Sequence, residues 1–142
     1  MRLIDVAEHP DAVQVLWDVL AARPSEFSIS HKSMPSWYEH CAFVRNHPYE
    51  AFYVIEVDGA PVGKIYLTFP PAAPSLPGNE IGIDLFPDAA GKGYGPAAVK
   101  LLMEKHGPRR YVGNISPNNE RSRRMFQRLG FIHVQDSFAL ES

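Results

Sequence analysis

The sequence predicts one α/β domain built on a mixed sheet, and three observations carry that prediction. Four segments repeat apolar residues at helical spacing, and six short runs read as strands. In the second half the two kinds alternate, as helices packed on a sheet require. In the first half Asp58-Gly59 joins two of the strand-like runs, a two-residue hairpin signal that makes those neighbours antiparallel. The expected order is β-α-α-β-β-β-α-β-α-β over residues 1–142.

Arg2 to Val6 reads as the first strand. Asp11 to Ala22 reads as a helix, with Val13, Leu16, Trp17 and Leu20 on one face. Residues 24–34 are loop-like. Pro35 to Arg45 reads as a second helix, since proline suits a first helical position. Ala51–Val57 and Pro61–Phe69 flank the hairpin turn, and Pro70, Pro71, Pro74 and Pro77 mark a surface loop. Glu80–Phe86 reads as a strand, Pro96–His106 as a helix stopped by Gly107-Pro108, and Arg110–Ile115 as a fifth strand. Ser116 is an apt N-cap with Pro117 behind it, for a helix ending at Gly130. Phe131–Leu140 reads as the last strand.

Bulk composition narrows the function classes. At 142 residues, 45% hydrophobic and 21% charged, the chain suits one domain with its own core. No apolar run approaches the roughly 20 residues of a membrane span. Asp5, Glu8 and Asp11 interrupt any signal-peptide pattern, so the expected location is cytoplasmic. One cysteine, Cys41, gives no disulfide, and no cysteine cluster suggests a metal. A net charge of −2 argues against nucleic acid as partner. The charge is unevenly placed: residues 1–90 hold 5 Lys/Arg against 12 Asp/Glu, residues 91–142 hold 9 against 4. That asymmetry suits an anionic cofactor toward the C-terminal half and a cationic substrate on the other side.

Between a strand and a helix lies Gly91-Lys92-Gly93-Tyr94-Gly95. Glycines let backbone approach a ligand closely, and the helix N-terminus favours negative charge. The spacing fails as a dinucleotide fingerprint, because the third glycine would fall at Pro96, and no Walker sequence is present. A second segment follows the fifth strand and opens a helix, with Asn119, Ser122, Phe126, Gly130 and Phe131 at set intervals.

With both segments, about 25 residues apart, the chain resembles the GNAT superfamily of acyl-CoA-dependent N-acyltransferases. Those proteins carry Gln/Arg-x-x-Gly-x-Gly/Ala after the fourth strand and Asn-x-x-Ser-x-x-x-Tyr/Phe-x-x-x-Gly-Phe after the fifth. The resemblance implies a mixed sheet of six to seven strands flanked by about four helices. It implies acetyl-CoA between splayed fourth and fifth strands, with no metal. Pyrophosphate would rest on Gly91, Lys92, Gly93, Tyr94 and Gly95. Pantetheine would pair with the backbone of Ile83 to Leu85 and meet Asn119, with Ser122 and Phe126 completing the motif. Two departures weaken the cradle: Ala90 stands where the family has Gln or Arg, and Pro96 offers no N–H.

Acetyl transfer to an amine needs a group to take a proton from an ammonium with a pKa of about 10. Glu80 and Asp84 share one face of the fourth strand and are the candidate bases, directly or through water. The family's general acid is often a tyrosine seven residues after the Asn, here Phe126, so Tyr94 and Tyr66 are the remaining candidates. His31, Trp37, Tyr38 and Glu39 mix aromatic and polar groups where the family builds its acceptor pocket, with Tyr66 beside them. The reading is an N-acetyltransferase of a small-molecule primary amine, with an amino sugar favoured, by direct attack. The alternatives are a protein N-terminus or amine metabolite as acceptor, and a non-catalytic acyl-CoA-binding module. Residues 131–142 are too short for two full strands, so the sheet edge invites a second subunit.

Overall fold

The Asp58-Gly59 turn sets the first half of the sheet. Both residues have positive φ, 52° and 79°, the combination that lets a two-residue turn match the twist of its strands. The computed structural model describes residues 1–23 and 34–141. Among them the strands are β1 (Arg2–Asp5), β2 (Ala51–Val57), β3 (Ala60–Leu67), β4 (Asn79–Leu85) and β5 (Tyr111–Val112). The helices are α1 (Ala12–Ala22), α2 (Trp37–Arg45), α3 (Tyr94–His106) and α4 (Glu120–Arg128). The sheet runs β1-β2-β3-β4-β5 in space. The first four strands are antiparallel, and β5 lies parallel to β4.

Strand alternation divides the core into two layers. Tyr53, Ile55, Ile65, Leu67 and Ile81 turn toward α3 and α4, where they meet Ala98, Val99, Leu102 and Phe126. On the opposite face Val54 packs on Ala12, Val15 and Val19 of α1, and Phe52 on Leu16 and Val44. The same face of β4 carries Glu80, Gly82 and Asp84, with Lys64 and Tyr66 of β3 opposite Asp84 and Gly82.

Besides β3, which spans Ala60–Leu67 and not 61–69, and α3, which begins at Tyr94 and not at Pro96, three features differ from the sequence expectation for identifiable reasons. α2 begins at Trp37, not Pro35, because Ser36 and Glu39 form a capping box: the Glu39 N–H donates to Ser36 Oγ at 3.1 Å, and the Ser36 N–H to Glu39 Oε1 at 3.2 Å. α4 begins at Glu120, not Pro117. The Asn119 N–H donates to the Ser116 carbonyl at 2.9 Å, so Pro117 serves a turn, and Asn119 caps the helix by accepting from the Ser122 N–H at 3.2 Å.

The third difference is a correction to the strand count. The sheet has five strands among the described residues, not six to seven, and β5 is two residues long instead of six. The expected final strand over 131–140 does not form. The Phe131 N–H reaches the Phe126 carbonyl at 3.0 Å, after which the chain leaves the body of the domain without joining the ladder.

Leu102 is fully buried at the centre of the α3 layer. Leu102→Ala is expected to lower unfolding stability by about 2–5 kcal/mol, measured as a shift of the urea midpoint at unchanged slope.

Candidate active site

The site is built where β4 parts from β5. β4 pairs with β3 from Ile81 to Leu85, yet it meets β5 only at Asn79–Tyr111 and Glu80–Val112. Bonds from the Thr68 N–H to the Glu80 carbonyl and from the Phe86 N–H to the Val62 carbonyl, both 2.9 Å, set the phase of the β3–β4 ladder. Alternate residues of an antiparallel ladder bond to the same neighbour. The backbone groups of Ile83 and Leu85 therefore point the other way, where β5 has already ended. An extended ligand arm could pair with them as a strand would.

Phe126 occupies the space beside the chain where β5 stops. A Cβ at Gly113 would lie 2.9 Å from its ring. The ring is buried and meets Phe131 edge-on at 4.9 Å between centroids. Phe126 thus belongs to the core cluster.

Beyond β4, Pro87–Ala89 make a single 3-10 turn, and residues 90–93 lead into α3. Gly91 and Gly93 have φ of 77° and 81°, and a Cβ built on either would meet nothing within 4 Å. The left-handed backbone, not crowding, is what calls for glycine there. At Gly95 the reason is close approach: a Cβ would stand 2.9 Å from the Met125 sulfur of α4. Gly93 is the N-cap of α3, and no side chain caps that helix. Pro96 lacks an N–H, and the Ala97 N–H turns to the Gly93 carbonyl at 3.4 Å. The amides of Tyr94 and Gly95, the helix dipole and exposed Lys92 suit a bound phosphate.

The two acids of β4 have different surroundings. Asp84 Oδ2 receives Arg23 Nη1 at 3.1 Å and Lys64 Nζ at 3.7 Å. Burial pulls the Lys64 ammonium below its usual pKa, against the opposing pull of Asp84. Glu80 has no described cation partner. Burial raises its pKa, and a hydrogen bond from Asn114 Nδ2 to Glu80 Oε2 works in the other direction. The Glu80 N–H is held by Thr68 Oγ1 at 2.8 Å. Between the acids lies Tyr66, whose ring covers Gly82 and stacks on Tyr49 at 3.9 Å and 5°. Burial pushes Tyr49 up to about 12 and Tyr66 well above the usual tyrosine range, so both stay neutral.

The family model for the acetyltransferase (GNAT) domain matches residues 2–132. The chain belongs to the GNAT acetyltransferase family. No curated protein sequence matches it significantly. Solved structures share the fold. An acetyltransferase from Thermus thermophilus superposes with a TM-score of 0.74 at 20% identity, over 95% of this chain and 88% of that one. An aminoglycoside antibiotic 6'-N-acetyltransferase from Acinetobacter haemolyticus gives 0.67 at 10%, over 100% and 98%. The yncA protein of Salmonella typhimurium, solved with its cofactor acetyl-CoA, gives 0.65 at 19%, over 92% and 77%.

Within this GNAT frame the residues named from sequence fall into separate groups. Glu80, Asp84 and Tyr66 share one sheet face, and Gly91 to Gly95 open α3. Asn119 and Ser122 cap α4 through each other. On α2, Tyr38 is 83% exposed, and Trp37 packs edge-on against Trp17 at 5.2 Å. Glu39 is committed to the capping box, which lowers its pKa. His31 lies outside the described residues. Sequence reasoning missed Arg23, Lys64, Tyr49 and Asn114. For Lys64 the signal was present, since it alternates with Tyr66 on β3; Asn114, just past β5, offered none.

A Cβ at Gly82 would run into the Tyr66 ring. Gly82→Ala is expected to cost about 1–3 kcal/mol of stability by displacing the Tyr49–Tyr66 stack, seen as a lower melting temperature and altered near-UV circular dichroism.

Proposed function

We propose that this GNAT domain acetylates a primary amine of a small molecule by direct attack on acetyl-CoA, with Glu80 as general base. The observation that carries the assignment is the position of Glu80 at the last β4–β5 pair, where the strands part. Acetyl-CoA brings an activated acyl group on a thiol leaving group; the remaining work falls to the protein. Ile83 and Leu85 offer backbone pairing to its arm, and the opening of α3 receives its phosphates. Glu80 takes a proton from the acceptor ammonium, directly or through a water, so that the neutral nitrogen can bond to the acyl carbon as the carbon–sulfur bond breaks.

Glu80 suits that role better than Asp84. A carboxylate raised by burial is a stronger base, whereas Asp84 is engaged by two cations. No hydroxyl stands at Phe126, so the sulfur takes its proton from Tyr94 or from solvent. Tyr66 holds its proton too tightly to give it up and forms a wall between the two acids. An amino sugar remains the favoured acceptor, with Trp37 and Tyr38 as stacking surfaces. Protein N-termini and other amine metabolites are the alternatives. The buried Phe126 favours one further reading, a non-catalytic acyl-CoA-binding module.

Thiol release from acetyl-CoA, measured over a panel of amines, tests the proposal. Turnover with an amino sugar is the expected result; acetyl-CoA binding without turnover of any amine sinks the catalytic reading. Glu80→Gln is expected to lower kcat about 10²–10⁴-fold with acetyl-CoA affinity kept. Unchanged kcat would move the base elsewhere.

The ionised form of Glu80 is the active one, so rate rises with pH through its pKa. The Asn114 bond holds that pKa down against burial. Asn114→Ala is therefore expected to move the acid limb of kcat/KM to higher pH, and a limb that stays put excludes Asn114 from the site.

A further inference from the structure

The gap beside β4 is closed on three sides among the described residues, and the closures bound the acyl group it can take. An arm that starts from the opening of α3 and pairs with Leu85 and Ile83 runs back along β4 toward Glu80. Ahead of it, β5 joins β4 at Glu80–Val112, so the sheet itself ends the gap. On the α3 side stand Ile81, Ala98, Val99, Leu102 and Phe126, all buried. On the acid side the ring of Tyr66 lies across Gly82, midway between Glu80 and Asp84.

Two of these closures are the strand ladder and the main core. The third is one side chain, and its neighbours hold it in place. The Tyr66 ring stacks on Tyr49 at 3.9 Å, and Phe52 meets both rings edge-on, at 4.9 Å from Tyr49 and 6.1 Å from Tyr66. Phe43 packs edge-on against Tyr49 at 5.7 Å. A ring wedged in this way does not swing aside cheaply, because close-packed neighbours must move with it. Gly82 lets the ring come so low, since any Cβ there would run into it. At this position β4 carries its neighbour's ring in place of a side chain.

A strand advances about 3.3 Å per residue. A thioester that follows the pairing at Ile83 therefore comes level with Gly82 one residue further on. The methyl of an acetyl group already stands beside the Tyr66 ring there. A longer chain has to displace the ring, enter the core layer, or turn out over the acid face into the path of the amine.

We propose that Tyr66 sets the acyl-chain limit of this GNAT domain, filling the face of β4 over Gly82 so that the gap takes a two-carbon acyl group and rejects longer ones. The inference rests on the proposed binding of acyl-CoA beside β4. It does not rest on Glu80 being the base or on the identity of the amine. A tyrosine with only a structural role would affect every acyl-CoA alike, whereas a limiting wall changes their order.

Titration calorimetry of the full chain with CoA, acetyl-CoA, butyryl-CoA and hexanoyl-CoA tests this, without any acceptor present. The wild type is expected to bind acetyl-CoA at least about 10-fold more tightly than butyryl-CoA, the scale of methylene discrimination in a closed pocket. Tyr66→Ala is expected to bind butyryl- and hexanoyl-CoA at least as tightly as acetyl-CoA, with its affinity for CoA unchanged. Tyr66→Phe should keep the wild-type order, because the ring and not the hydroxyl fills the space. Tyr66→Leu keeps an apolar side chain against Leu16, Val44 and Phe52, and should fall between wild type and alanine; it serves if the alanine variant does not fold. Equal wild-type affinity for acetyl- and hexanoyl-CoA overturns the proposal. So does a folded Tyr66→Ala or Tyr66→Leu that keeps the acetyl preference or weakens all four ligands alike. A wild type that binds neither CoA nor acetyl-CoA sinks the functional reading itself, and this proposal with it.

Discussion

The proposed site depends on β4 being a strand with two unequal sides. Against β3 it is paired to its end, which gives it a fixed twist and a fixed alternation of side chains. Against β5 the pairing lasts two residues. A strand anchored on one side and released on the other presents its own backbone as a binding edge, held straight by the ladder behind it. The glycine turn beyond β4 then places the positive end of α3 at the mouth of the same gap. The order of parts comes from chain connectivity: strand, gap, turn, helix. Sheet edges are normally a hazard for aggregation; here a short internal one, flanked by α4, offers unpaired backbone of β4 that the proposed cofactor arm would use.

The face of β4 opposite α3 solves a different problem. A strand covered by helices on both sides is expected to be apolar, yet this one carries two carboxylates. Asp84 is offset by Arg23 and Lys64, and their ion cluster stands where apolar packing would otherwise be. Among the described residues Glu80 is offset only by a neutral amide, and burial raises its proton affinity. The stacked tyrosines separate the two environments. Two acids four residues apart on one strand thus acquire different chemistry from their neighbours alone.

Much of this was legible in the sequence, for reasons that can be named. The hairpin was legible because Asp58-Gly59 is a local signal. β4 and α3 were legible because glycines at 91, 93 and 95 sit between two clear periodicities, and the pair of motifs pointed to the GNAT frame. The boundaries of α2 and α4 were misplaced because proline was weighted over side-chain caps; Ser36-x-x-Glu39 and Asn119-x-x-Ser122 were both there to be read. The final strand expected over 131–140 does not form, because a strand exists only where a partner exists, and partners are not written in one segment. Arg23 and Asn114 were out of reach because their roles arise from contacts 61 and 34 residues away in sequence.

The Arg23–Asp84 bond does more than offset a charge. It ties the end of α1 to β4, while the Ser36–Glu39 box fixes the start of α2. The chain between positions 23 and 34 therefore joins two clamped ends, each held by contacts of its own. The ion pair thus couples the position of α1 to the strand that carries both acids, so a change at Arg23 is felt at β4 as well as in the helix.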